Sequence, residues 1–576
     1  MITQALFSCL AVLGAAALTT TNPVETGRTA EFLIENAPDT GGANPYDPGA
    51  VALDVEFTPP SGPPLTMPAF WAQEYARAFA DGRETLEKTG APGWRVRHTA
   101  AVPGRHAWRL MVSLGGGGFA EAGRGEFEAL PPRRPWHGYG RAKKGARYFS
   151  LDDGTPLPLL GSNLCWHGAA GTRDYDQWLG AFADAGMNYT RLWMSPYAFA
   201  VEVAPGERLN YNQEGAWRLD YVMRLAEEKG VRVMLCLDFH GIFQDKPDVW
   251  GGNNFWPDHP YNAAQGGPCA TQNEFFTSPG AAELHRKRMR YLVARYTAFP
   301  SLLSWQFFNE INNVYGVLNR GDVTRWHGAA ARALRAMDPC AHPITTSFSG
   351  WHEEADMWSM PEMDYCQLHL YHDPSQKPLG EIISAAAERF AKRFDKPVFV
   401  GEFGATWRNP GAELDPHRRA MRQAVWTGLL GGMAGTAMPW WWEDLHAAGC
   451  YGVWKSLADF VGTTGLGGPG WGPVKAEGGE NADVYALSDG ARALAYVIDR
   501  RCHYPRGRDK DAPEARRAVV TLRGLADGPR TVEWWDTAAG RVVHTGEGKT
   551  VGGKMVLTSP PFSGDTALRV LPVAEK

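Results

Sequence analysis

The chain has 576 residues, of which 44% are apolar and 21% charged, and a formal net charge of −5. That length exceeds what one hydrophobic core supports and fits two or three domains of a globular protein. The charge gives neither the basic field that holds nucleic acid nor a strong acidic bias, so an uncharged partner is expected and nucleic acid is not.

The first segment runs Ala5-Leu6-Phe7-Ser8-Cys9-Leu10-Ala11-Val12-Leu13-Gly14 and continues into Ala15-Ala16-Ala17. An apolar stretch followed by small residues predicts a secretory leader over residues 1–21, although no Lys or Arg precedes it. The mature protein is then expected to be secreted or periplasmic. No other run approaches the length of a membrane span.

Residues 24–130 alternate in the manner of half-buried strands. Val51, Leu53, Val55 and Phe57 interleave with Ala52, Asp54, Glu56 and Thr58, and Trp94-Arg95-Val96-Arg97 continues the pattern. A β-sandwich is predicted. Residues 131–147, rich in Pro, Gly and basic side chains, read as a linker.

The period changes over residues 148–461. Tyr175, Trp178, Leu179 and Phe182 form a helical stripe, as do Leu219, Val222, Met223 and Ala226, and apolar strand-like runs lie between such stripes. Strand candidates end near Asn163, Arg191, His240, Glu310, Phe348, Tyr371, Glu402 and Trp442. Alternation over about 300 residues predicts a (β/α)8 barrel. The fifth crossover, 353–364, is short and weakly helical, and Pro439 is out of character for a central strand. Beyond a Gly-rich passage, alternation returns over 480–576 and predicts a small C-terminal β-sandwich.

The cysteines lack metal-ligand spacing, and no metal site or cofactor is expected. Cys236 and Cys366 read as small core residues. Cys269 and Cys450 fall in loops expected on one face of the barrel, which leaves a single bridge between them open.

Catalytic groups in such barrels sit at the C-terminal ends of the strands. There this chain places Arg191, Asp238 and His240, Asn309 and Glu310, His369 and Tyr371, Glu402, and Trp440 to Trp442. Two carboxylates on one rim suit glycosidic bond cleavage, in which one carboxyl group donates a proton to the leaving oxygen and the other attacks the sugar or stabilises its cation. Trp440 and Trp441 are expected to floor a sugar site, with Trp166 and Trp256 on its walls, because indole faces suit the C–H faces of a neutral sugar.

Thr190-Arg191, Leu237-Asp238-Phe239-His240, Asn309-Glu310, His369-Leu370-Tyr371, Gly401-Glu402-Phe403 and the eighth-strand Trp cluster stand in the order found in glycoside hydrolase family 5. Over about 300 residues the chain resembles that cellulase-like family and, more broadly, the retaining clan A built on the same barrel. The resemblance implies that Glu310 is the acid/base, that Glu402 is the nucleophile, and that Asn309 binds the sugar 2-hydroxyl. It further implies that Arg191 and Tyr371 hold Glu402, with His240 and His369 around the reactive subsite. Residues 24–130 resemble the immunoglobulin-like module catalogued as domain of unknown function 5060. The expected activity is a cofactor-free, retaining β-glycoside hydrolase acting on a neutral polysaccharide or oligosaccharide. The competing class is a non-catalytic carbohydrate-binding or wall-associated protein on a degenerate barrel. The sequence does not select the glycan or the oligomeric state.

Overall fold

The computed structural model describes residues 16–20, 22–249, 251–350, 353–371, 377–407, 414–462, 464–504 and 514–573. Most of the expected leader therefore lies outside the described residues. Residues 17–19, assigned to its end by sequence, form a strand paired antiparallel with Thr29–Glu35. The chain divides into two compact units, Met1–Gly140 with Cys165–Gln177 and Leu192–Ile344, and Arg141–Leu164 with Trp178–Arg191 and Thr345–Lys576.

The first unit opens with two sheets. One orders Ala17–Thr19, Thr29–Glu35, Arg83–Thr99 and Phe70–Ala80; the other orders Val24–Glu25, Ala120–Leu130, Gly104–Leu114, Val51–Thr58 and Leu65–Pro68. Phe32 and Val96 from one and Val55, Phe57 and Leu110 from the other share a single core. The pleat decides the faces, since Val51, Leu53, Val55 and Phe57 are buried while Thr58 is exposed. Each such side chain contributes about 1.5–3 kcal/mol by leaving water.

The same unit contains strands Arg232–Phe239 and Leu302–Asn309, paired in parallel with Phe239 opposite Asn309. Every residue of Leu302–Asn309 is buried, as expected of a strand covered on both faces. Helix Gln213–Lys229 starts at Asn212, whose side chain accepts from Gly215 N–H, and stops at Gly230 in the left-handed conformation. Its stripe Leu219, Val222, Met223 and Ala226 is buried. Its Asp220 receives Arg97 at 2.6 Å and Arg295 at 2.8 Å, and Glu31 lies 2.7 Å from Arg97. This cluster fastens the sheet strand Arg83–Thr99 to helices Gln213–Lys229 and Pro279–Tyr296.

In the second unit Gly161–Asn163 runs parallel to residues 189–191, with Asn163 opposite Arg191. Cys366–Tyr371 runs parallel to Val398–Gly404, with His369 opposite Glu402 after a register shift at Leu368/His369. The fifth crossover holds a single helical turn, Ala355–Trp358, as its composition predicts. The eighth strand departs from expectation. It shows as two isolated bridges, Leu159 to Gly435 and Phe403 to Pro439, with backbone hydrogen bonds from Ala434 to Val398, Thr436 to Leu159 and Met438 to Val400, and Trp442 opens helix Trp442–Ala447 instead of ending a strand. Pro439 itself has no N–H to give to a ladder, though its carbonyl accepts from Asn163 N–H at 3.3 Å.

The C-terminal sheets begin at Gly472, earlier than the 480 expected. One has six strands and one three, and Val497, Leu522, Val532, Trp534 and Leu568 lie in their common core. The bridge left open between Cys269 and Cys450 is absent, both being free thiols. Cys269 is tied within its own loop, its N–H donating to Tyr261 O at 2.9 Å, and burial pushes its thiol up to about 12. Among the described residues no helix is long and apolar enough to cross a membrane.

Candidate active site

In the second unit Glu402 sits inside Val398–Gly404, 3% exposed. Its Oε1 lies 2.7 Å from Arg191 Nη1, and its Oε2 accepts from Tyr371 OH at 2.7 Å, with His369 Nδ1 at 3.4 Å. Arg191 has no solvent exposure. Gly401, just before Glu402, leaves room for the buried Gln367 side chain, since a Cβ there would stand 2.0 Å from Gln367 Oε1. One carboxylate oxygen is thus bound by a guanidinium and the other by a phenol, which fixes the plane of the carboxylate. Arg191, His369, Tyr371 and Glu402, all expected from the sequence, are brought together here.

In the first unit Asn309 ends Leu302–Asn309 and is 1% exposed. Glu310 follows in the left-handed conformation, φ 50° and ψ 45°, and its Oε2 accepts from Asn313 Nδ2 at 2.9 Å. A non-glycine residue held there stores about 1–3 kcal/mol, and such strain concentrates at functional positions. His240 opens the one-turn helix His240–Phe243 with Nε2 3.9 Å from Asp248 Oδ2.

Asp238 stands at the C-terminal end of Arg232–Phe239, as the strand-end rule has it, and is bound there by Arg288 of helix Pro279–Tyr296, in part through a 3.1 Å hydrogen bond from Nη1. Arg288 Nε lies 4.0 Å from Glu202 Oε2, and Glu202 accepts from Tyr261 OH at 3.0 Å and Leu209 N–H at 3.3 Å. Burial pushes Glu202 up to about 7, with Arg288 opposing. Nothing in Val201-Glu202-Val203 signals this buried network.

The aromatic candidates separate. Trp166 is half-buried, edge-on to Trp193 at 5.4 Å. Trp256 is only 4% exposed and stacks on His259 at 5.7 Å, so its indole face is taken up by protein and not offered as a wall. Trp440 and Trp441 are half-buried, while Trp442 is buried edge-on to Trp440 at 5.1 Å. Trp441 is left-handed, φ 36°, and its buried Nε1 meets no acceptor among the described residues.

Parallel strands alternating with helices, with carboxylates at or beside their C-terminal ends, define the class: a glycoside hydrolase. The family model described as Cellulase (glycosyl hydrolase family 5) matches residues 151–443, just over half of the chain. The chain belongs to that family, whose fold is the (β/α)8 barrel. It is similar to mannan endo-1,4-beta-mannosidase 1 of Oryza sativa subsp. japonica, at 24% identity over 50% of this chain and 73% of the relative. Mannan endo-1,4-beta-mannosidase A of Podospora anserina is 26% identical over 39% of this chain and 58% of the relative. A crystal structure from Bacteroides vulgatus ATCC 8482 aligns with a TM-score of 0.62 at 16% identity, covering 96% of this chain and 100% of that one, a likeness of fold.

Proposed function

We propose that this chain is a secreted, retaining β-glycoside hydrolase of a neutral polysaccharide, with β-1,4-mannan the first substrate class to test. The observation that carries the reading is the buried Arg191–Glu402–Tyr371 arrangement, a carboxylate oriented at both oxygens. Glu402 attacks the anomeric carbon while Glu310 gives its proton to the leaving oxygen and the glycosidic C–O bond breaks. Glu310 then takes a proton from water, the water oxygen displaces Glu402, and two inversions restore the starting configuration. Asn309 binds the sugar 2-hydroxyl, and His240 and His369 flank the reactive subsite. Trp440 and Trp441 supply the floor and Trp166 a wall, Trp441 Nε1 being a donor for a hydroxyl. The reaction needs no cofactor.

The names of the two plant and fungal relatives support mannan. In this reading the two-sheet body ahead of residue 131 is the immunoglobulin-like module, and the sheets from Gly472 form a C-terminal sandwich. The apolar run within residues 1–21 supports export, which N-terminal sequencing of the exported protein checks. The test of function is sugar release from β-1,4-mannan, glucan and xylan by the native chain and by Glu402→Gln, beside a binding assay. Binding with no turnover by the native chain would favour the non-catalytic class.

A further inference from the structure

Tyr197 lies outside the sequence-derived candidates, yet it is a large aromatic residue left 42% exposed in the first unit. Its ring is one of a group, with Trp166 at 5.3 Å, Phe255 at 5.9 Å and Phe239 at 6.2 Å between centroids. Phe239 is buried and Trp166 and Phe255 are half-buried, so the cluster opens to solvent chiefly through the Tyr197 ring. The ring is also anchored. Its hydroxyl donates to Asn253 Oδ1, Asn253 Nδ2 donates to Asp248 Oδ2 at 2.5 Å, and that same oxygen stands 3.9 Å from His240 Nε2.

The backbone is bent to make this relay. Asn253 is left-handed at φ 63°, a conformation that costs most residues but that Asn tolerates. Gly241, next to His240, leaves room for it, since a Cβ there would stand 2.8 Å from Asn253 Cβ and 2.4 Å from the Phe239 ring. Burial, with Asp248 adding to it, pushes the Tyr197 phenol up to about 12, so the hydroxyl remains a donor across the ordinary range of pH.

We propose that Tyr197 is a sugar-stacking platform whose exposed ring takes the C–H face of a neutral pyranose, and that Asn253 and Asp248 are positioning residues that set the ring in register with His240. The ligand class rests on the function proposed above; the anchored, exposed ring does not. Asp248 thus faces both groups, accepting from Asn253 Nδ2 and standing 3.9 Å from His240 Nε2, so the platform is anchored beside the rim histidine. The ring then serves a sugar unit that a short substrate lacks.

The test compares KM and kcat for an aryl β-monoglycoside and for a β-1,4-linked hexose oligosaccharide of five or six units, using the full chain. Tyr197→Ala is expected to raise the oligosaccharide KM roughly five- to tenfold more than the aryl-glycoside KM, with kcat less affected, as for loss of one aromatic contact. Tyr197→Trp should restore most of that difference, and Asn253→Ala should give an intermediate rise. Circular dichroism melts accompany each variant. Equal KM changes on both substrates, or a KM insensitive to Tyr197→Ala in a folded variant, would overturn the platform while leaving the hydrolase reading intact. No turnover of any glycoside by the native chain would remove both.

Discussion

Arg191 Nη1 and Glu402 Oε1 lie 2.7 Å apart with side-chain exposures of 0% and 3%, so this ion pair is dry as well as close. Removing one member of such a pair leaves a buried charge without its partner, which typically costs about 3–5 kcal/mol. Arg191→Met is therefore expected to lose turnover and to unfold at lower urea. Arg191→Lys keeps the charge but not the planar fork, and should recover stability more than activity. Urea titration beside kcat/KM on an aryl glycoside measures both.

Tyr371 holds the other oxygen of Glu402 at 2.7 Å from a half-buried position. Tyr371→Phe removes the hydroxyl and nothing else. Stability should change by about 1 kcal/mol, the net worth of one hydrogen bond, whereas turnover should fall at least tenfold because a preorganised donor is lost. A fall in stability with kcat intact would make the bond structural.

The roles of Glu310 and Glu402 separate by substrate and by rescue. Glu402→Ala should abolish turnover and regain part of it with azide, giving a product of inverted configuration. Glu310→Ala should spare the first step for substrates with good leaving groups and accumulate the glycosyl-enzyme, since only a poor leaving group needs the proton. Proton NMR of the first product released by the native chain should show retained configuration. Near-native activity in either variant would reverse the assignment.

Much of this site is legible in the sequence because strands covered on both faces read as apolar runs, and a polar residue at or near the end of such a run is conspicuous. Phe399-Val400-Gly401-Glu402 and Phe307-Phe308-Asn309-Glu310 are of that kind. Charges paired across the fold are not legible. Arg97 alternates with core residues and reads as a solvent-facing position, yet it is 1% exposed because helices carrying Asp220 and Arg295 cover it. Glu202 and Arg288 hide for the same reason, each looking like an ordinary loop or helix charge until tertiary contacts bury it. Tyr197 escapes because its exposure, and not its type, is what distinguishes it.

Glu202 makes stability depend on pH with a definite sign. Burial raises its carboxyl from 4.5 to about 7, so the folded chain holds this proton more tightly than the unfolded one. Its contribution is full below about pH 4.5 and is lost as pH rises through about 7, a difference of about 3 kcal/mol. Glu202→Gln keeps acceptors for Tyr261 and Leu209 but cannot ionise. Relative to the native chain, the variant should gain melting temperature at pH 8 and gain little or none at pH 5. A difference between the two proteins that is flat with pH would show that Glu202 does not titrate in this range.

Trp440, Trp441 and Trp256 should divide by what their loss affects. Trp440 and Trp441 are half-buried, and Trp441 combines a left-handed backbone with a buried Nε1 that has no acceptor among the described residues. A buried donor left unpaired costs about 1–3 kcal/mol, so a ligand oxygen that reaches it recovers that cost on binding. Trp256 has its face against His259 and its exposure at 4%, the profile of packing. Trp441→Ala is accordingly expected to weaken oligosaccharide binding tenfold or more, with little loss of melting temperature. Trp441→Phe, which keeps an aromatic face without the N–H, should recover only part of that affinity. Trp256→Ala should cost about 3–5 kcal/mol of stability and leave the affinity of the folded fraction near native. Calorimetric titration on a Glu402→Gln background, with thermal melts of each variant, decides the matter: a Trp441→Ala protein that melts early yet binds normally would assign that indole to packing as well.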